Sequence, residues 1–242
     1  IFLFSSGMND YFQFKQFLIR QGQTAMKVGT DGVLLGAWAK LKNAVSILDI
    51  GTGTGLLALM AAQRNPEASI EAIEIDAAAY QQACQNTASS PWCDRITLHH
   101  LSVFNFYPSY HFDCILCNPP FFLHSTPTPD NSRTTARHCK EFTHTDLLSL
   151  ARRLLSPQGK LNLILPVTEA ENLIREAPQY AANLTRITKV KPTSPKPPKR
   201  YLLEFSFSSP TFLEPDELVI EYSRHNYSPE YQELTRDFYL NM

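Results

Sequence analysis

Asn118-Pro119-Pro120-Phe121 closes the apolar run Phe112-Asp113-Cys114-Ile115-Leu116-Cys117, and these residue types in this order can hold a planar amino group. Proline disfavours the helical region for the residue before it, so Asn118 is expected in extended backbone, its amide leaving the strand in a fixed direction. Pro119 and Pro120 have φ of about −65° and no N–H, which stiffens the turn and keeps their carbonyls out of any helical ladder. Phe121 adds a flat apolar face, on which stacking a base contributes roughly 1–3 kcal/mol. An amide oxygen, a fixed carbonyl and an aromatic ring fit group transfer onto an exocyclic nitrogen, foremost that of a nucleobase. A strand-exit turn with a core Phe uses the same residue types, so the neighbouring motifs decide between the two.

The first neighbour is Ser46-Ile47-Leu48-Asp49-Ile50-Gly51-Thr52-Gly53-Thr54-Gly55, followed by the helical pattern Leu56-Leu57-Ala58-Leu59-Met60-Ala61-Ala62. Glycines at 51, 53 and 55 permit a sharp strand-to-helix turn that a ligand can approach without meeting a Cβ. A dinucleotide fingerprint would place its third glycine at 56, where Leu56 stands. The second neighbour is Ile70-Glu71-Ala72-Ile73-Glu74-Ile75-Asp76, in which an acidic residue at a strand end can accept hydrogen bonds from a ribose diol.

Elements able to position these motifs follow from the pattern of the chain. Strand-like runs near 45–50, 69–74, 95–99, 112–117 and 160–165 alternate with helical patterns near 55–65, 77–88 and 144–155, and Gly159 reads as the turn before the last strand. Residues 12–19 alternate as one edge strand, 31–41 reads as a short helix, and a further helical pattern covers 229–239. Such alternation predicts an α/β fold: a Rossmann-like, doubly wound, mostly parallel sheet with its ligand at the carboxyl ends of the strands. Thr185 to Lys191 and Tyr201 to Phe207 read as an antiparallel C-terminal hairpin.

Composition sets the class. The 242 residues are 43% hydrophobic and 19% charged, enough for one sizeable core, and no apolar run reaches the roughly 20 residues that span a bilayer. A soluble, cytoplasmic enzyme is expected. Ile1 to Gly7 lack the basic start and cleavage site of a signal peptide, and Met8 reads as a natural start, so residues 1–7 are expected to be foreign to the native chain. An extension over 8–44 would cap the cofactor site of a main domain over 45–242. The odd cysteine count, five, fits reduced thiols. Cys114-x-x-Cys117 imitates a metal or redox motif but lies in a strand, where residues three apart face opposite ways. No histidine or cysteine set has metal spacing, and the sequence leaves the oligomeric state open, with a monomer compatible.

Formal net charge is only −1, yet Arg186, Lys189, Lys191, Lys196, Lys199 and Arg200 lie in a stretch without any acidic residue. A solvated loop and a phosphate-tracking face explain this equally well. Arg133, Arg137 and Lys140, just after Asn-Pro-Pro-Phe, tilt the reading toward RNA.

Asp49-x-Gly51-x-Gly53-x-Gly55 together with Asn118-Pro119-Pro120-Phe121 resembles the class I S-adenosylmethionine-dependent methyltransferases that modify amino nitrogens. Phe14 to Phe17 and the run from Ala25 to Trp38 narrow this to a resemblance to the bacterial tRNA1(Val) adenine-N6 methyltransferases, which act on the adenine 3′ of the anticodon. The likeness extends from about Phe12 to Phe207. It implies a seven-stranded sheet, S-adenosylmethionine as cofactor and tRNA as partner. It also implies that Gly51, Gly53 and Gly55 border the methionine part of the cofactor, that Asp49 orients the loop, that Glu74 holds the ribose and that Ile75 lies against the adenine. Relatives place an aspartate where Ser102 stands, and a serine hydroxyl gives the cofactor adenine a weaker, neutral hydrogen bond. Thr30 and Asp31 would line the cofactor pocket from above, although helix capping by Asp31 explains that residue equally well.

Other readings use the same motifs. A glutamine amide on a protein or a guanine amino group on ribosomal RNA is also a planar nitrogen. Phe121, where glutamine-directed relatives carry Tyr, and the short region before Asp49 argue against the first. Leu56 argues against a nicotinamide oxidoreductase, and Asn118 against a cofactor-binding module without catalysis.

Overall fold

The structure, a computed structural model, describes residues 10–22, 24, 27–119, 142–208 and 215–242. Tyr11–Gln13 (β1) and Leu18–Arg20 (β2) pair antiparallel. The single strand expected over 12–19 is therefore a hairpin. The Phe14 N–H donates to the Phe17 carbonyl at 2.9 Å, and the two buried rings stack with centroids 4.6 Å apart. A straight strand would have sent these rings to opposite faces.

The remaining elements are α1 (Thr30–Trp38), β3 (Ser46–Ile50), α2 (Leu56–Arg64), β4 (Ser69–Glu74), α3 (Ala77–Ala88), β5 (Ile96–His100), β6 (Phe112–Cys117), α4 (His144–Leu154), β7 (Leu155–Pro166), α5 (Val167–Glu176), β8 (Asn183–Thr193), β9 (Arg200–Ser206), β10 (Asp216–Ser223), β11 (Asn226–Tyr227) and α6 (Pro229–Thr235). In space β5-β4-β3-β6-β7-β9-β8 forms the expected seven-stranded sheet, in which β9 alone opposes its neighbours. Two strands beyond the expectation lengthen it: β10 runs parallel to β8, and β11 returns along β10. Only Leu218 of β10 is buried, so this edge strand leaves little alternation to read.

Gly159 is not a turn. It lies inside β7 where the register against β6 slips between Phe112 and Cys114, and a Cβ there would come within 2.7 Å of the Phe112 carbonyl oxygen. The glycine lets the bulged strand lie against its neighbour.

Alternation along the strands divides the core into two layers. Ile47, Ile70, Leu116, Ile164 and Leu202 pack against α1, α2 and α6, whereas Leu48, Ile73, Ile115, Leu163 and Leu203 pack against α4 and α5. Cys114 belongs to the first layer and Cys117 to the second, so the two thiols diverge. Burial pushes the Cys114 thiol up to about 12 and raises that of Cys117 as well. Phe14, Ile19 and Leu35 of the amino-terminal region share the first layer with β3 and β4. The first helix ends at Trp38 rather than Leu41, where Arg64 Nη1 donates to the Gly36 and Ala39 carbonyls, each at 2.7 Å, and satisfies its carboxyl end.

Candidate active site

The carboxyl ends of β3, β4 and β6 converge on one edge of the sheet. After β3 the chain turns through Gly51, Gly53 and Gly55, with φ of 70°, 57° and 85°, in the left-handed region that favours glycine. The Gly51 and Thr52 N–H groups donate to the Ile73 carbonyl of β4 at 2.9 and 3.0 Å, which fixes the turn against the neighbouring strand. A Cβ at Gly51 or Gly53 would meet nothing within 4 Å, so both open onto free space, whereas Gly55 sits over Ala83 of α3.

Asp49 is fully buried beneath this turn. Its Oδ2 accepts from the Thr52 hydroxyl at 2.5 Å and from the Ala58 N–H at 3.2 Å, tying turn and helix to the strand. Its Oδ1 is buried and has no partner among the described residues. Burial pushes the carboxyl up to about 7; the two hydrogen bonds oppose this, and the charge of Glu74 adds to it.

Glu74, at the end of β4, is held by three backbone donors. Gly53 N–H reaches its Oε2 at 2.8 Å, and the N–H groups of Ile75 and Asp76 reach its Oε1 at 2.8 and 2.9 Å. Two carboxylate oxygens offer about four acceptor positions, so Oε2 keeps the capacity for one more donor. Ile75 beside it is 59% exposed, a large apolar side chain left open at the strand end. Ser102, after β5, accepts from the Phe104 N–H at 3.4 Å and caps a short 3-10 turn; its O–H can still donate outward.

Asn118 is half-buried at the end of β6 and Pro119 is buried. The first helix passes directly over them at Gly32, where a Cβ would lie 2.9 Å from Leu56 Cδ2 and 3.8 Å from Asn118 Nδ2. The sequence reading assigned no role to Gly32, Thr52 or Asn86, whose amide donates to the Thr54 carbonyl at 2.8 Å and braces the turn. A glycine inside a helical run was the signal for Gly32, since it costs about 1 kcal/mol there without a packing reason. Asp31 does not cap α1, whose cap is Gly29. Asp31 instead accepts from Arg200 Nε at 2.7 Å, and with Thr30 it lines a cleft facing the β8–β9 hairpin.

The basic residues separate by strand alternation. Arg186 lies 3.4 Å over the Trp38 ring and donates to the Trp38 carbonyl at 2.7 Å, a structural clamp between β8 and α1 rather than a free cation. Lys189 reaches the Tyr201 ring on the opposite face, and Lys191 pairs with Glu217 at 2.8 Å. Lys196 and Lys199 are exposed in the turn between β8 and β9. That turn projects from the same edge as Asn118, since Arg200 pairs in register with Pro166 at the carboxyl end of β7. Pro120, Phe121, Arg133, Arg137 and Lys140 lie outside the described residues. Among the described residues no cluster of three or more His, Cys, Asp or Glu is placed to hold a metal, and no helix is long and apolar enough to cross a membrane.

Known proteins are similar to this chain along nearly its whole length. The model of the methyltransferase small domain matches residues 28–185. A tRNA1(Val) (adenine(37)-N6)-methyltransferase of Phocaeicola vulgatus is 47% identical over 234 residues, covering 97% of this chain and 99% of its own. The protein of the same name from Vibrio campbellii is 44% identical over 231 residues, covering 96% of each chain. This chain belongs to the tRNA1(Val) (adenine(37)-N6)-methyltransferase family. Solved structures agree on the fold: a predicted O-methyltransferase of Agrobacterium tumefaciens superposes with a TM-score of 0.62 at 19% identity, covering 86% of this chain and 96% of that one. A ribosomal protein L11 methylase of Lactobacillus delbrueckii subsp. bulgaricus superposes at 0.56 and 16% identity, covering 79% and 84%.

Proposed function

We propose that this protein transfers the methyl group of S-adenosylmethionine to N6 of an adenine in tRNA, the adenine 3′ of the anticodon of a valine tRNA, in the cytoplasm. The observation that carries the reading is the placement of Asn118 beside the glycine turn under Gly32, in a chain nearly half identical, end to end, to relatives with that name.

The residues fit the cofactor. Free space over Gly51 and Gly53 accommodates a ligand at backbone distance, and Asp49, buried beneath them, orients the loop through Thr52 and Ala58. The remaining acceptor position of Glu74 suits a ribose hydroxyl, and exposed Ile75 suits an adenine face. When bound, S-adenosylmethionine supplies an electrophilic methyl on a sulfonium.

The chain's own part is to make a poor nucleophile competent. The lone pair of an adenine amino group is delocalised into the ring. Asn118 Oδ1 and the Pro119 carbonyl each accept one amino hydrogen, which draws electron density back onto nitrogen and lets it pyramidalise. Phe121, which like Pro120 lies outside the described residues, is the aromatic side chain assigned to stack on the base. The amino proton becomes acidic only as the new N–C bond forms and is then lost to solvent water, so no strong base is needed beforehand. Fixed dipoles and positioning carry the catalysis. An anticodon-loop base is already unpaired, so extruding it costs less than it would from a duplex. Lys196 and Lys199, with Arg133 and Arg137, track the tRNA backbone.

Asn118→Ala tests this. Single-turnover methylation of unmodified valine tRNA should be lost while calorimetric cofactor affinity stays within twofold of wild type. Retained turnover would remove Asn118 from the chemistry.

A further inference from the structure

The cleft between the start of α1 and the β8–β9 hairpin has a volume of about 210 Å³ and is lined by Thr30, Asp31, Leu34, Val190, Pro192, Lys199, Arg200 and Ile220. Its floor is apolar, formed by Leu34 and Val190, and its rim carries a hydroxyl, a carboxylate and two cations. We infer that this cleft is a second nucleotide site, which takes the nucleoside next to the target base in the same RNA strand. The inference rests on the RNA-methylating reading above and adds to it the point at which the neighbouring residue is held.

Position is the first argument. Asp31 directly precedes Gly32, and consecutive Cα atoms are about 3.8 Å apart, so the cleft wall begins one residue from the helix turn that covers Asn118. A strand that delivers one base to Asn118 can run along this wall with its neighbouring nucleoside.

The lining chemistry is the second. Leu34 and Val190 are core residues that close the floor, the half-buried Pro192 and Ile220 offer the apolar contact to a base, and Thr30 and the carboxylate of Asp31 can hydrogen-bond a base edge or a ribose hydroxyl. Asp31 and Arg200 neutralise one another at 2.7 Å, which keeps the base-binding end near neutral and gives a phosphate no net attraction there. Exposed Lys199 lies at the hairpin end, where a phosphate would sit, and Lys196 continues the charge outward. The Lys199 N–H donates to the Val190 carbonyl at 2.9 Å, so the cation is carried on a hairpin whose backbone is pinned rather than on a free loop.

The arrangement commits the two ends of the cleft to different effects. Ile220→Trp fills the apolar end without changing charge. Lys199→Ala removes the phosphate contact at an exposed position where folding is not at risk. Binding is read with an anticodon stem-loop RNA of valine tRNA, and cofactor affinity is read separately by calorimetry. Ile220→Trp should weaken RNA binding at least tenfold at all salt concentrations, Lys199→Ala should weaken it mainly at low salt, and both should bind S-adenosylmethionine as wild type does. If both variants, folded by circular dichroism, bind the stem-loop as tightly as wild type, the cleft is not a nucleotide site. If wild type fails to bind the stem-loop at all, the RNA reading itself falls and takes the cleft with it.

Discussion

Asp49→Asn should make the protein, free of cofactor, more stable at alkaline pH and leave it almost unchanged at acidic pH. Burial holds the Asp49 carboxyl at about 7, against 3.8 when exposed. Because the folded value is the higher one, the folded state takes up a proton that the unfolded state does not. The associated stability is fully present below about pH 4 and is lost as pH rises through about 7. A difference of about three pKa units at about 1.4 kcal/mol each is about 4 kcal/mol of folding free energy withheld above neutrality. Asparagine keeps an oxygen for the Thr52 hydroxyl and Ala58 N–H, and its NH2 replaces Oδ1, which is unpartnered in any case. Leaving that amide unpaired costs about 1–3 kcal/mol, so the net gain at pH 8 is on the order of 1–3 kcal/mol. Near pH 5 only about 1–2 kcal/mol is withheld from the wild type, and the unpaired amide of asparagine costs about as much, so the two proteins have nearly equal stability. Thermal unfolding of both proteins at pH 5 and pH 8 without cofactor checks this, with affinity for S-adenosylmethionine measured alongside. The substitution should leave cofactor binding at pH 8 nearly unchanged, because asparagine keeps the oxygen that holds Thr52 and Ala58 and so keeps the loop in place. A stability difference independent of pH would refute the reasoning.

Three further outcomes follow from particular contacts. Arg186→Met removes the guanidinium stacked on Trp38 and should lower stability by about 2 kcal/mol in denaturant unfolding, while the salt slope of tRNA binding stays as in wild type. Replacing both Lys196 and Lys199 with Ala should weaken tRNA binding and reduce that slope by about 1–2, in filter binding from low to moderate salt; an unchanged slope would place the phosphates elsewhere. Gly159→Ala drives a Cβ to within 2.7 Å of the Phe112 carbonyl oxygen and should cost about 1–3 kcal/mol of stability, whereas an unaffected unfolding midpoint would show that the bulge relaxes freely.

The sheet core and the strand-end placement of both motifs were legible because they depend on local signals: apolar runs, closely spaced glycines, an acid at a strand end. β6 spans 112–117 as read, and the opposed thiols of Cys114 and Cys117 followed from the two-residue period of a strand. What stayed hidden depends on partners distant in sequence. The turn at Phe14 to Phe17 is set by burying two rings against one layer, and the bulge at Gly159 by a carbonyl on another strand. Asp31 read equally as a pocket residue or a helix cap because its partner, Arg200, lies 169 residues away. The basic stretch looked like one face because charge can be counted in a sequence, whereas Arg186 and Lys189 are divided by strand alternation and engaged by Trp38 and Tyr201. Glu74 was expected to hold a ribose, yet three of its acceptor positions already serve the glycine turn and the start of α3.

The most direct test of the central claim is the identity of the product. The protein is incubated with labelled S-adenosylmethionine and total tRNA from a strain that lacks the activity, and the labelled nucleoside is identified and located by mass spectrometry. The account predicts N6-methyladenosine immediately 3′ of the anticodon of a valine tRNA; N2-methylguanosine, or label on no RNA at all, would contradict it.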